Sequence, residues 1–210
     1  MKYYTTYIWD FDGTLFDSYP HSARALYETM RRYGAEGDLE ALRRAMQVNF
    51  ATAFEMSGLD SEQLRLFHRL RGDDAFSPPI VPFPHAEAVL AALAQKGARH
   101  ILYTHSNRRM SVRFIERFGL DRYFSGYVTA DSPGFVPKPD PGAILYILNK
   151  WCADPARAVM VGDREIDMRC ARGAGVDGIL VDPEHLVGET CAVFRVEDLK
   201  EIADEPEGGR

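Results

Sequence analysis

The stretch that decides the fold is Tyr7-Ile8-Trp9-Asp10-Phe11-Asp12-Gly13-Thr14-Leu15, YIWDFDGTL, near the N-terminus. Residues 3–10 are β-branched and aromatic and end on an acid, which predicts a strand. Residues 11–15 follow as a turn, in which Gly13 is free to take dihedrals closed to other residues. Beyond the turn the apolar spacing changes. From residue 19 to about residue 76 it is helical, with no strand pattern. Ala23, Leu26, Tyr27 and Met30 fall on one face of a first helix, and Leu39, Leu42, Ala45 and Met46 on one face of a second. Residues 50–56 predict a short third helix stopped at Gly58, and Ser61 reads as the N-cap of a fourth over 62–70. Residues 77–84, SPPIVPFP, carry four prolines and read as a stiff linker closing the helical stretch.

After the linker the chain alternates. A helix is predicted over 85–95 with Gly97 closing it, then a strand over 99–104 and a helix over 107–118 ended by Gly119. A short strand at 127–129, a helix at 141–151 with Pro141 in its first turn, and a buried-type strand at 158–161 follow. A helix at 165–174, closed by Gly175, and a strand at 178–181 complete the series. Strand–helix alternation predicts an α/β fold: a doubly wound, mostly parallel, Rossmann-like sheet with a small α-helical insert after the first strand. The domain division expected is a core over 1–17 and 82–203, a helical cap over 18–81, and a flexible polar tail at 204–210.

Composition narrows the function classes. The chain has 210 residues, 46% of them hydrophobic, enough for one domain carrying an insertion. A net charge of -6 without a long basic run argues against nucleic-acid and membrane-surface binding. No run of 18 apolar residues occurs, and residues 1–7 lack the pattern of a signal peptide, so a cytoplasmic location is expected. Cys152, Cys170 and Cys191 form no CxxC pair, and they read as small core hydrophobes rather than a zinc site or disulfides. Lysine is scarce, at positions 2, 96, 138, 150 and 200 only, so each position is informative.

In doubly wound sheets, ligands bind beyond the carboxyl ends of the strands. The first strand is followed there by Asp10, Asp12, Gly13 and Thr14, and a later one by Thr104, His105, Ser106 and Asn107. The strand near Tyr127 leads to Lys138, held between Pro137 and Pro139, and the AVMV strand leads to Gly162, Asp163 and Asp167. Several carboxylates on one edge stay ionised together only with a cation among them. An all-oxygen donor set favours Mg²⁺ over zinc. A hard cation, a lysine and a hydroxyl suit a phosphoryl group. Of two carboxylates spaced i, i+2 at a strand end, one can be a nucleophile and the other an acid and base. Each motif alone is weak evidence; Asp167 alone could merely cap a helix, and Lys138 alone could be a solvated loop lysine.

The ordered set IWDFDGTLFDS (8–18), ILYTHSN (101–107), PKPDP (137–141) and VMVGDREID (159–167) resembles the haloacid dehalogenase superfamily of Mg²⁺-dependent phosphohydrolases. Within it the chain resembles the phosphoglycolate phosphatase-like branch, which has a small helical cap after the first strand. The resemblance implies that Asp10 is the nucleophile, that Asp12 is the acid and then the base, and that Lys138 pairs with Asp10 and the phosphate. It implies a Mg²⁺ site formed by Asp10, the main-chain carbonyl of Asp12, Asp163 and, directly or through water, Asp167. It also implies that Thr104 binds the phosphoryl group, with Gly13 and His105 as further candidate substrate contacts. Where many relatives carry a small residue after Thr104, this chain has His105, which either meets the substrate or packs away from it. Arg164 and Arg108 lie near the same edge and are candidates to meet an anionic substrate, solvation being the commoner fate of such residues. Arg24, Arg43, Arg44 and Asn49 are candidates to reach the site from the cap.

The implied activity is hydrolysis of a small phosphate monoester, of phosphoglycolate, sugar phosphate or nucleotide type, through an aspartyl phosphate. A small phosphorylated metabolite is the expected partner, and the protein is expected to be a monomer or weak dimer. Asp12 argues against dehalogenation, since a halide leaving group needs no proton. The absence of lysine between residues 18 and 81 argues against phosphonoacetaldehyde hydrolysis, which needs a cap lysine to form an imine. Two alternatives stay open: a phosphosugar mutase of the same fold, and a catalytically silent phosphate-binding regulatory protein.

Overall fold

The protein is described by a computed structural model covering residues 2–73 and 75–203. The tail expected at 204–210 lies outside the described residues. In chain order the elements are β1 (Thr6–Trp9), β2 (Phe16–Asp17), α1 (Tyr19–Arg32), α2 (Leu39–Val48), α3 (Phe50–Ser57) and α4 (Leu64–Arg71). There follow β3 (Val81–Pro82), α5 (Ala86–Gln95), β4 (Arg99–Tyr103), α6 (Arg108–Arg117), β5 (Phe124–Val128) and α7 (Gly142–Lys150). The last are β6 (Ala158–Gly162), α8 (Glu165–Gly173), β7 (Asp177–Val181), β8 (Phe194–Val196) and α9 (Lys200–Ala203). Two compact units result. One comprises the chain up to Leu15 and from Pro82 onward; the other is Phe16–Val81. The chain leaves and re-enters through β2 and β3, which pair with each other.

The Phe16–Val81 unit is a four-helix assembly. Its core is Tyr19, Ala23, Leu26 and Met30 of α1, Leu42, Ala45 and Met46 of α2, Ala53 of α3 and Phe67 of α4. Of the faces read from the spacing, Ala23, Leu26, Met30, Leu42, Ala45 and Met46 are in this core, Tyr27 packs against it half-buried, and Leu39, at the start of α2, is exposed. Asp38 caps α2, accepting from the Glu40 and Ala41 amides at 2.9 and 3.3 Å. The fourth helix departs from expectation. Ser61 is not its cap; Asp60 accepts from the Glu62 and Gln63 amides, both at 2.9 Å, and the helix begins at Leu64. An aspartate makes this local turn more strongly than a serine does, so the turn starts one residue earlier.

The other unit is built on a six-stranded sheet in the order β5-β4-β1-β6-β7-β8, with every pairing parallel. β1 lies between β4 and β6, with Trp9 level with both Leu102 and Val161. The strand order reverses at β1, and in doubly wound sheets ligands bind beyond the C-terminal end of the strand where this happens. One face of the sheet, with Ile8, Ile101, Tyr103 and Met160, packs on Ala143, Ile144 and Ile147 of α7 and Cys170 and Ala171 of α8. Strand residues alternate between faces. On the opposite face Trp9 donates from Nε1 to His100 Nδ1 at 2.9 Å, and His100 Nε2 lies 3.1 Å from the Leu90 carbonyl of α5.

Three features were not legible in the sequence. β5 begins at Phe124, three residues before the expected start, because Ser125 and Gly126 interrupt its apolar pattern. Gly126 is required there: a Cβ would lie 2.1 Å from the ring of Trp151. β8 and α9 span three and four residues and follow a long irregular segment, so they carried no periodic signal. Of the three cysteines only Cys170 is a core residue; Cys191 is half-buried and Cys152 exposed.

Candidate active site

The loops after β1, β4 and β6, together with the segment between β5 and α7, bring the predicted residues together at one edge of the sheet. Asp10 follows β1 directly, and its amide donates to the Val161 carbonyl at 2.9 Å, continuing the ladder with β6. Gly13 has φ 76°, the left-handed conformation that the turn requires. Asp10, Asp12, Thr104, Lys138 and Asp167 are all buried, and Asp163 is half-buried.

Lys138 joins two carboxylates. Its ammonium lies 2.9 Å from Asp10 Oδ1 and 2.6 Å from Asp167 Oδ1, and 4.8 Å above the centre of the Tyr103 ring. Asp167 is anchored in turn through Oδ2, which accepts from the Arg164 amide at 3.1 Å. Burial pushes the Asp10 carboxyl above the ordinary carboxylate range, against the pull of Lys138. Burial opposes the charge on Lys138, but Asp10 and Asp167 outweigh it and hold the ammonium above the ordinary lysine range.

Asp12 stands apart from this pair. Its Oδ2 accepts a hydrogen bond from the Ser106 hydroxyl at 2.7 Å. Ser106 also donates its amide to Thr104 Oγ1 at 3.0 Å, so the loop after β4 braces Asp12 and aims Thr104 together. Thr14 donates from Oγ1 to Asp163 Oδ1 at 3.3 Å.

Two arginine and histidine assignments are refined by the structure. Arg164 is not a solvated residue. It is 7% exposed, with Nη2 3.6 Å from Asp10 Oδ2 and Nε 3.9 Å from Asp163 Oδ1. His105 faces the main chain of Lys138, whose N–H donates to its Nε2 at 2.8 Å. Burial, reinforced by the positive charges of Lys138 and Arg164, pulls the His105 pKa down to about 4, so the ring is neutral near pH 7. Arg108 lies over the Tyr127 ring at 5.4 Å. Within the helical unit Arg24 pairs with Glu28, and Arg43 and Arg44 both pair with Glu40. Asn49 is occupied as the cap of α3, accepting from the Ala51 amide at 3.0 Å.

Sequence reasoning placed Thr14 and Ser106 at strand ends without giving either a role, and it missed Tyr103. Each sits within two residues of a residue it did single out, and position after a strand end was the only signal available for them.

The residues fit a divalent cation. Asp10, Asp163 and Asp167 each present a carboxylate oxygen, and these atoms lie within 4.8 Å of one another. Three carboxylate oxygens gathered this closely suit a single divalent cation. The donors are hard oxygens only, which suits Mg²⁺ and not zinc. The Asp12 carboxylate is outside this trio and is held by Ser106 instead.

Comparison with known proteins gives the family. Residues 7–181 match the family described as haloacid dehalogenase-like hydrolase. A phosphoglycolate phosphatase of Cupriavidus necator is 30% identical over 191 residues, covering 84% of this chain and 80% of that protein. One from Pseudomonas fluorescens is 27% identical over 188 residues, covering 80% of this chain; the match spans 66% of the Pseudomonas protein. A haloacid dehalogenase-like hydrolase of Streptococcus pneumoniae has the same fold, with a TM-score of 0.79 at 19% identity, over 95% of this chain and 96% of that one. With its acidic strand-end loops, bridging lysine and doubly wound sheet, the chain belongs to the haloacid dehalogenase-like hydrolase family, on its phosphoglycolate phosphatase-like side.

Proposed function

We propose that this phosphatase hydrolyses a small phosphate monoester through an aspartyl phosphate formed on Asp10, with Mg²⁺ as cofactor. The observation that carries this is the division of labour between two neighbouring carboxylates. Asp10 is buried and paired with Lys138, whereas Asp12, two residues on, is held separately by Ser106. A group that must attack phosphorus and a group that must carry a proton are thereby kept distinct.

In the first step an Asp10 carboxylate oxygen forms a bond to phosphorus as the ester P–O bond breaks, and Asp12 gives its proton to the departing alkoxide. In the second step Asp12 takes a proton from water, the water oxygen attacks phosphorus, and the Asp10–phosphorus bond breaks to release phosphate. Lys138 holds Asp10 and offsets charge on the phosphoryl oxygens, and Thr104 orients one of those oxygens. Asp10, Asp163 and Asp167, with the Asp12 carbonyl, would hold the metal. A bound divalent cation supplies the positive charge that keeps Asp10 ionised despite its burial.

The test is free-phosphate release from a panel of esters that includes phosphoglycolate, sugar phosphates and nucleoside monophosphates. Release should require Mg²⁺ and stop with a chelator. Asp10→Asn should lower the rate by about 10³-fold or more while the protein stays folded. A folded wild type that binds Mg²⁺ and releases no phosphate would favour the mutase or the silent binding protein.

A further inference from the structure

Lys138 sits in an irregular segment between β5 and α7, yet its ammonium is placed between two carboxylates. A lysine side chain has four rotatable bonds, so the ammonium is only as well defined as the main chain that carries it. No strand ladder holds that main chain. Two side chains at the end of β4 hold it instead. The Tyr103 hydroxyl donates to the Val136 carbonyl, and His105 Nε2 accepts the Lys138 N–H at 2.8 Å. Phe135 wedges between these two rings, edge-on to His105 at 5.8 Å and to Tyr103 at 6.4 Å. A backbone N–H always donates, so His105 Nε2 must carry its lone pair and the ring proton must be on Nδ1. His105 is thus engaged through one nitrogen with the main chain of the residue that pairs with Asp10.

We propose that His105 is a positioning residue for phosphoryl transfer: its Nε2 fixes the main chain of Lys138 and so sets the ammonium between Asp10 and Asp167. This goes beyond the phosphatase assignment on which it rests, because it gives His105 a job on the lysine rather than on the substrate. Small residues at this position have no atom that reaches the amide. A displacement of the ammonium by about an ångström is enough to cost about 100-fold in rate.

The experiment is a double-mutant cycle with a second readout that needs no activity. His105→Ala should lower kcat by about 10- to 100-fold and leave KM within about threefold. His105→Gln, whose amide oxygen reaches the place of Nε2, should recover most of that loss, and His105→Asn, one bond shorter, should not. In a Lys138→Met background His105→Ala should change kcat by less than about twofold, because the residue it acts through is gone. Amide exchange at Lys138, followed by NMR, should be slow in the wild type and in His105→Gln and fast in His105→Ala. Three outcomes overturn the proposal: an undiminished effect of His105→Ala in the Lys138→Met background, a loss confined to KM, or unchanged exchange at the Lys138 amide. If His105→Ala does not fold, the contrast between Gln and Asn decides. Failure of the wild type to release phosphate would overturn the phosphatase assignment, while the exchange result would still show whether His105 holds Lys138.

Discussion

At the scale of single residues, the site is a balance of buried charges. Lys138 lies between Asp10 and Asp167, all three buried. Removing one partner of such a group costs about 3–5 kcal/mol, because a charge is left without compensation in a dry environment. Lys138→Met is therefore expected to lower the thermal midpoint sharply in metal-free protein. Mg²⁺ should recover a larger share of the midpoint in the variant than in the wild type, since the cation replaces the lost positive charge. Equal shifts with and without Mg²⁺ would show that the lysine and the metal do not share carboxylates. Ser106 offers a second check. Its hydrogen bond to Asp12 connects to an ionisable group, and such bonds are worth about 1.5–3 kcal/mol. Ser106→Ala should lower kcat by about tenfold or more, with a shifted acid or base limb in the pH–rate profile and little change in KM. Asp10, Asp12, Lys138 and Asp163 could be read from the sequence because each follows a strand. Ser106 could not, because nothing in a Thr-His-Ser-Asn run says which hydroxyl turns back toward β1.

At the scale of elements, the strands set the depth of each loop and glycines set how close the helices come. Gly162 ends β6, and a Cβ on it would lie 2.4 Å from Asp167 Cγ. The carboxylate of α8 thus passes directly over a position where only hydrogen fits. Gly162→Ala should push Asp167 away from Lys138, weaken Mg²⁺ binding measured by calorimetry, and destabilise the fold by about 1–3 kcal/mol. A variant with wild-type metal affinity and stability would show that the strand relaxes instead. The central strands and their helices were legible because they repeat apolar residues with the right period. β8 was not, since it has three residues and is recruited by pairing with β7. The start of α4 was misplaced because two adjacent residues, Asp60 and Ser61, both suit a helix entry, and local competition decided between them.

At the scale of the whole molecule, one buried histidine ties the sheet to its covering helix and makes stability depend on pH. His100 is fully buried between Trp9 and the Leu90 carbonyl, and burial lowers its pKa from 6.5 to about 4. Because Trp9 Nε1–H donates to Nδ1, the neutral ring is the form that fits. The unfolded chain takes up a proton below pH 6.5 that the folded chain refuses until about pH 4. The stabilisation is therefore complete above pH 6.5 and is lost as pH falls toward 4, by about 3 kcal/mol in total. Urea unfolding between pH 7.5 and 4.5 should show this decline, and His100→Gln should make it shallower, leaving the part contributed by His105, whose pKa burial also lowers to about 4. An unchanged slope in the variant would assign the pH dependence to other groups. Among the described residues no helix is long and apolar enough to cross a membrane.

The sequence by itself determined the α/β alternation, the helical insertion after β1, and the identity of the acids and the lysine at the strand ends. Those features rest on periodicity and on position along the chain, which are local properties. The tertiary structure alone decided which of these groups touch. It set Lys138 between Asp10 and Asp167, gave Asp12 to Ser106, drew Arg164 out of solvent, and turned His105 toward the Lys138 amide. Such contacts join residues dozens of positions apart, and they exist only because parallel strands bring distant loops to one edge, where burial makes every unpaired charge costly.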